Sequence, residues 1–242
     1  MSDSDIVLYA AYADELLNED IYAAAYELAT PQRRAKTDRY IRAEDRRLSL
    51  TAELLLRFAL RQLGAELPTE LCSGEHGKPY ADGAPHFNIS HSGEYALCAA
   101  SRKLPVGCDI EAVAEADLAL TRRCFTPDET AMLKAAQAGT ERDTLFFRFW
   151  TLKESLMKVT GAGMSIPPNE IPVSTSGSVS DRLTFNGISY RFHEYSIPND
   201  TPAPSTHRYR CALCVPADTD SVRLQSVSVC DIIKTFKDEG MA

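Results

Sequence analysis

The chain has 242 residues, 44% hydrophobic and 25% charged, which is enough apolar sequence for one large core or two compact halves and excludes a disordered tail. Thirty-four acidic side chains against 26 basic ones give a net charge of −8, which argues against a general nucleic-acid or anionic-membrane binder. No uncharged apolar run approaches the length of a membrane span, and the start Met1-Ser2-Asp3-Ser4-Asp5 is the opposite of a signal peptide's basic region. Seven cysteines, an odd number without an export signal, read as free thiols in a reducing cytoplasm. The two N-x-S/T matches, at Asn88 and Asn199, are incidental on that reading.

Ile6-Val7-Leu8-Tyr9-Ala10 predicts a strand, and residues 14–28 a helix. Thr30-Pro31 is an N-cap with proline at the first helical position, and it opens a short, densely basic helix through Arg33, Arg34, Lys36 and Arg39. A long helix is predicted from Glu44, with Leu48, Ala52, Leu55, Leu56 and Ala59 on one face and Gly64 as its stop. Gly74-Glu75-His76-Gly77-Lys78-Pro79 is turn chemistry ahead of a strand, His86-Phe87-Asn88-Ile89-Ser90. Strands over 95–101 and 105–111 are joined by a connection short enough to predict a hairpin. Thr126-Pro127-Asp128-Glu129 is a capping box opening a helix that ends at Gly139, and a second strong helix covers 141–160, closed by Gly161. Beyond Asn169, alternation predicts strands over 188–197, 209–215 and 222–229, with exposed loops at 174–180 and 198–207. The order strand, helices, strands occurs twice. The expected fold is α+β, two similar α/β halves over residues 1–104 and 105–242, each with a small, mainly antiparallel sheet packed by helices.

Three segments offer chemistry. In Val106-Gly107-Cys108-Asp109-Ile110-Glu111, alternate residues of a strand share a face, so Gly107, Asp109 and Glu111 look one way and the apolar set looks toward the core. Two carboxylates at that spacing repel unless positive charge lies between them, and an oxygen-loving cation such as Mg²⁺ resolves the conflict. Taken alone, Asp-x-Glu more often marks the wet face of a strand. In Phe149-Trp150-Thr151-Leu152-Lys153-Glu154-Ser155-Leu156-Met157-Lys158, Glu154 and Lys158 share a helix face. They read either as a surface ion pair or as a third carboxylate and an ammonium facing the strand pair. Lys153 points about 100° away and is expected to be structural or exposed. His91, flanked by Ser90, Ser92 and Gly93, ends a strand where small residues allow the backbone to approach an anion, with a satisfied structural histidine as the competing reading. Cys211 and Cys214 fall on opposite faces of a strand and read as ordinary buried cysteines. There is no G-x-G-x-x-G, no G-x-x-x-x-G-K-[ST], no H-E-x-x-H and no zinc spacing among the five histidines. The basic helix near Arg33 is the one positive concentration in an acidic chain.

Four blocks in order, Gly77-Lys78-Pro79, then Phe87-Asn88-Ile89-Ser90-His91-Ser92, then Gly107-Cys108-Asp109-Ile110-Glu111, then Phe149-Trp150-Thr151-Leu152-Lys153-Glu154-Ser155 with Lys158 and Gly161, resemble the 4′-phosphopantetheinyl transferases. Length and block spacing are similar to the long, pseudodimeric Sfp type rather than the short, trimeric type, over roughly residues 30–172. The resemblance implies transfer of the 4′-phosphopantetheine arm from coenzyme A to a serine of an acyl or peptidyl carrier protein, releasing 3′,5′-ADP. It implies that Asp109, Glu111 and Glu154 hold Mg²⁺, with Mn²⁺ as a substitute, and that Lys158 and His91 meet the pyrophosphate, with Ser90 among the coenzyme A-binding residues. Arg33, in place of a more usual lysine, and Lys36 would meet the 3′-phosphate, and Lys78 with Pro79 would border the adenine. Glu154, or a water held by the metal, would take the serine proton. A cytoplasmic monomer is expected, with coenzyme A and a carrier protein as partners and neither nucleic acid nor membrane. Two other readings use the same residues: a Mg²⁺-dependent hydrolase of a coenzyme A-like pyrophosphate, and a non-catalytic module that binds coenzyme A or a carrier. The complete set Asp109, Glu111, Glu154 and Lys158 argues against the module.

Overall fold

Residues 6 to 11 are all buried in β1 (Ile6–Tyr12), so this strand is covered on both faces, which is why its sequence is a continuous apolar run rather than an alternation. The computed structural model of the chain describes residues 6–65, 71–74, 76–175, 177–197, 208–217, 219, 221–238 and 240. A 3-10 turn over residues 13–17 separates β1 from α1 (Glu19–Leu28), whose N-cap Asn18 accepts from the amides of Asp20 and Ile21. That cap divides what periodicity alone reads as one helix. Thr30 and Pro31 open α2 (Pro31–Thr37) as expected, and α3 (Ala43–Gln62) follows. The short pair β2 (Cys72–Ser73) and β3 (Pro79–Tyr80) leads to β4 (His86–Ser92) and β5 (Tyr95–Ser101).

The second half repeats the plan. After β6 (Gly107–Ala112) come α4 (Thr121–Cys124), α5 (Pro127–Ala135) and the long α6 (Thr140–Thr160). Then follow β7 (Ser174–Thr175), β8 (Ser178–Val179), β9 (Arg182–Phe185), β10 (Ile188–Tyr195) and β11 (Tyr209–Pro216). The chain closes with β12 (Leu224–Ser226) and α7 (Val229–Asp238). One sheet has the order β12-β1-β5-β4 and the other β6-β11-β10-β9. The unit β1-α3-β4-β5 thus recurs as β6-α6-β10-β11, and the fold is α+β with two halves. An apolar cluster between the sheets joins β1 and β5 to β6 and β11. Two outer clusters pack α1, α3 and α7 on the first sheet and α5 and α6 on the second.

Four expectations change. The strands at 95–101 and 105–111 do not form a hairpin, because β5 already has β1 and β4 on its two edges, and β6 pairs with β11 in the other sheet. The strand expected over 222–229 is only β12, which runs parallel to β1 in the first sheet. Val229 instead begins α7, whose Val229, Ile232, Ile233 and Phe236 bury against the α3 side of that sheet, and Glu15 caps it by accepting from Ser228, Val229 and Cys230. The last strand and helix therefore pack with the first half, although their sequence position groups them with 105–242. Residues 174–180 hold the β7–β8 pairing rather than a plain loop; the loop expected at 198–207, and Asn199, lie outside the described residues.

Lys153 is structural and fully buried, not exposed. Its ammonium sits 2.7 Å from Glu129 and donates to the carbonyl of Pro168 at 2.9 Å and to that of Ile171. Glu129 is the acidic member of the Thr126 capping box, and its second oxygen accepts from Val173 at 2.9 Å. One residue thus caps α5 and binds α6 to the segment that follows it. Lys153→Ala, which leaves Glu129 buried without its cation, is expected to cost about 3–5 kcal/mol in urea unfolding, whereas the paired change Glu129→Gln with Lys153→Met should cost much less.

Candidate active site

Among the described residues the outer edge of β4 and the outer edge of β6 have no backbone ladder partner, yet the two strands lie side by side. Side chains close the gap. Asn88, Ser90 and Ser92 project from one face of β4, as alternate residues of a strand must. They accept in turn from the amides of Cys108 at 2.7 Å, Ile110 at 3.4 Å and Ala112 at 3.1 Å. Both serines also donate: Ser90 to Asp109 Oδ1 at 2.7 Å and Ser92 to Glu111 Oε2 at 2.8 Å. The carboxylates of the second half are therefore oriented by hydroxyls of the first.

Helix α6 reaches this seam only because residue 107 is glycine. A Cβ there would fall 2.2 Å from the Ser155 carbonyl and 2.3 Å from the Val159 amide, far inside contact distance. The space beside Gly107 is thus filled by helix backbone, and Glu154 and Lys158 are delivered to the carboxylates. Lys158 Nζ lies 2.5 Å from Asp109 Oδ1 and 3.0 Å from Ser90 Oγ. Its charge is directed across the seam, so the surface ion pair with Glu154 is not the arrangement formed.

The electrostatics follow from burial. Burial alone would lower the Lys158 ammonium, but the charge and hydrogen bond of Asp109 raise it above the ordinary lysine value. Burial pushes Asp109 up, with Lys158 opposing. Glu111 is raised by burial and by Asp109, with the Ser92 hydroxyl, Lys158 and the nearby Trp150 indole opposing. Glu154 is pushed up to about 7 by burial, then by Asp109 and Glu111, with Lys158 opposing. Among the described residues no three ligating side chains are already gathered into a metal-binding group. The donor set nevertheless fits a hard divalent cation: Asp109 raises Glu111, both raise Glu154, and Asp109 Oδ2 is buried without a hydrogen-bond partner.

The seam opens on a cleft of about 250 Å³ lined by Lys78, Pro79, Asn88, Glu154, Met157 and Lys158. A neighbouring cavity of about 470 Å³ shares Lys78, Pro79 and Gly161 and adds Tyr80, Phe87 and Thr160. Lys78 itself donates to the carbonyl of Lys158 at 2.6 Å and to that of Val106 at 3.3 Å. It thereby satisfies a carbonyl at the end of α6, where Gly161, at φ 73°, stops the helix. Burial lowers this ammonium. Its side chain is a fastening, and Lys78 and Pro79 both line the cleft.

On the other flank His91 remains exposed. The protein packed around it, then the cations Lys158, Lys36 and Arg33, hold it below the ordinary imidazole value, with Asp45 opposing. Lys158, Lys36, Arg33 and Asp45 are thus the charges that His91 feels. Lys36 is exposed, but Arg33 is tied to Glu53 at 2.8 Å and to Ser49 at 3.3 Å. Sequence reading missed Glu53 in this role, and it missed Asn88 and Ser92 as fasteners. The signal for the last two was present in the alternation Asn88-x-Ser90-x-Ser92, which matches that of 108, 110 and 112.

Residues 105–214 match the 4′-phosphopantetheinyl transferase superfamily, and residues 18–103 match the 4′-phosphopantetheinyl transferase N-terminal family. The two matches meet where β5 hands over to β6. A 4′-phosphopantetheinyl transferase of Bacillus subtilis is 34% identical over 185 residues, 73% of this chain and 80% of the relative. The psf-1 transferase of Bacillus pumilus is 37% identical over 202 residues, 80% of this chain and 82% of the relative. The gsp transferase of Aneurinibacillus migulanus is 41% identical over 134 residues, 54% of this chain and 55% of the relative. The chain belongs to the 4′-phosphopantetheinyl transferases, and it is a transferase. Because its helix lies directly against residue 107, Gly107→Ala should lower both the thermal midpoint and the transfer rate, a cost of about 1–3 kcal/mol in stability; an equally stable and active variant would contradict the packing.

Proposed function

We propose that the cleft binds coenzyme A and that the enzyme moves its 4′-phosphopantetheine arm to a serine hydroxyl of an acyl or peptidyl carrier protein, releasing 3′,5′-ADP. One observation carries this reading: Lys158, fixed between Ser90 and Asp109, and Glu154 line the same cleft that Lys78 and Pro79 border. Family membership supports the reaction itself.

Asp109, Glu111 and Glu154 are the residues that would hold Mg²⁺, or Mn²⁺ in its place, and that ion when bound neutralises charge on the phosphate oxygens. Lys158 and His91, with Ser90 between them in the seam, meet the pyrophosphate from the protein side and add to that neutralisation. Glu154 has no direct hydrogen bond to any described residue and is pushed up to about 7. Glu154 lines the cleft, and it, or a water held by the ion, would take the proton of the attacking serine. Lys36, exposed, would supply a cation for the 3′-phosphate, and Arg33, anchored on Glu53, would add charge there. Pro79 and the backbone of Lys78 border the adenine.

Both edges of the cleft come from one chain, which supports a monomer. All seven cysteines are unpaired, which supports a reducing compartment such as the cytoplasm. Among the described residues no helix is long and apolar enough to cross a membrane, and no nucleic acid or membrane is expected as a partner.

Incubation with coenzyme A, Mg²⁺ and an apo carrier protein, read by intact mass, tests the reaction. Gain of the phosphopantetheine mass supports transfer; nucleotide release without it points to hydrolysis; neither points to a binding module. EDTA should abolish transfer while circular dichroism stays unchanged, and Asp109→Ala should lower the rate about 100-fold or more. Lys36→Ala should instead raise KM for coenzyme A several-fold with kcat little changed, because the 3′-phosphate does not react.

A further inference from the structure

The three side chains that fasten β4 to β6 are not interchangeable. Asn88 stands opposite Gly107, where β6 presents no side chain, and its amide oxygen need only accept the Cys108 amide at 2.7 Å. Opposite Asp109 and Glu111 the fasteners are serines. A hydroxyl can accept from a backbone amide and donate its own proton at the same time, which an amide oxygen cannot. Ser92 does both: it accepts from Ala112 at 3.1 Å and donates to Glu111 at 2.8 Å. Glu111 feels the like charge of Asp109, and the Ser92 hydroxyl is the donor from across the seam that holds it against that repulsion.

We infer that Ser92 is a positioning residue, contributed by the first half, that holds Glu111 in its metal-ligating orientation and so sets the affinity of the site for its divalent cation. This rests on the proposed metal role of Glu111. Hydrogen-bond donors behind ligating carboxylates affect metal affinity by about 10–100-fold in general. A fastening role alone would instead appear in stability and leave metal affinity untouched.

The test titrates Mn²⁺ into the full-length enzyme with saturating coenzyme A and no carrier protein, reading bound metal by electron paramagnetic resonance, with thermal midpoints measured in parallel. Ser92→Ala should weaken Mn²⁺ binding about tenfold or more, and Ser92→Thr, which keeps the hydroxyl, should restore most of it. If Ser92→Ala does not fold, Ser92→Cys keeps the shape, weakens the donor and reads the same quantity. Glu111→Gln separates the two levels. Weak binding by Glu111→Gln with parental binding by Ser92→Ala or Ser92→Cys overturns this inference and leaves the metal site standing. Parental binding by Glu111→Gln as well overturns the metal assignment on which it rests.

Discussion

Two sheet edges facing each other without a backbone ladder would leave the amides of Cys108, Ile110 and Ala112 buried and unpaired, at a cost of about 1–3 kcal/mol each. Asn88, Ser90 and Ser92 supply those partners from side chains. Side-chain partners keep the two strands farther apart than a main-chain ladder would, and the serines in the intervening space point their own protons at Asp109 and Glu111. The joint that makes two halves into one molecule is therefore also the joint that orients the carboxylates. A second tie lies at one end of it, where Tyr209 of β11 donates to the Glu94 carboxylate and accepts from the Glu94 amide, each at 2.9 Å.

Charge is arranged around this joint in two different ways. Lys153 and Glu129 form a closed unit, fully buried and hydrogen-bonded on every side, so their role is to hold α5, α6 and the following segment together. Lys158 and Asp109 form an open unit, in which one Asp109 oxygen has two donors and the other has none. A buried anion left half-satisfied is unfavourable in the protein alone and becomes favourable when a cation arrives. The two lysines of α6 thus serve opposite ends: one completes the fold, and one faces an incomplete site.

Much of this was open to sequence reasoning because it rests on local rules. The alternation that sends Asp109 and Glu111 to one face, the cap at Thr30, the capping box at Thr126 and the stop at Gly161 are all consequences of neighbours in the chain. What the sequence hides is long-range. Periodicity identifies β5 and β6 as strands but says nothing about which edges are free, so their short connection read as a hairpin. The apolar spacing of Val229, Ile232, Ile233 and Phe236 is helical throughout, yet its first residue blends into a strand-like run. Lys153 offered no local sign that its partner would be the glutamate of a distant capping box. Arg33 was identifiable as basic, but its tie to Glu53 depends on α2 lying across α3.

On the proposed function, one chain assembles a complete site for a pyrophosphate and its cation through the β4–β6 seam. A crystal structure of the enzyme with coenzyme A and Mg²⁺ tests it most directly. The pyrophosphate is expected against Lys158 and His91, the cation in contact with Asp109 Oδ2, Glu111 and Glu154, and the three fastening bonds intact. Coenzyme A bound away from that seam, or a cation held by other side chains, would contradict it.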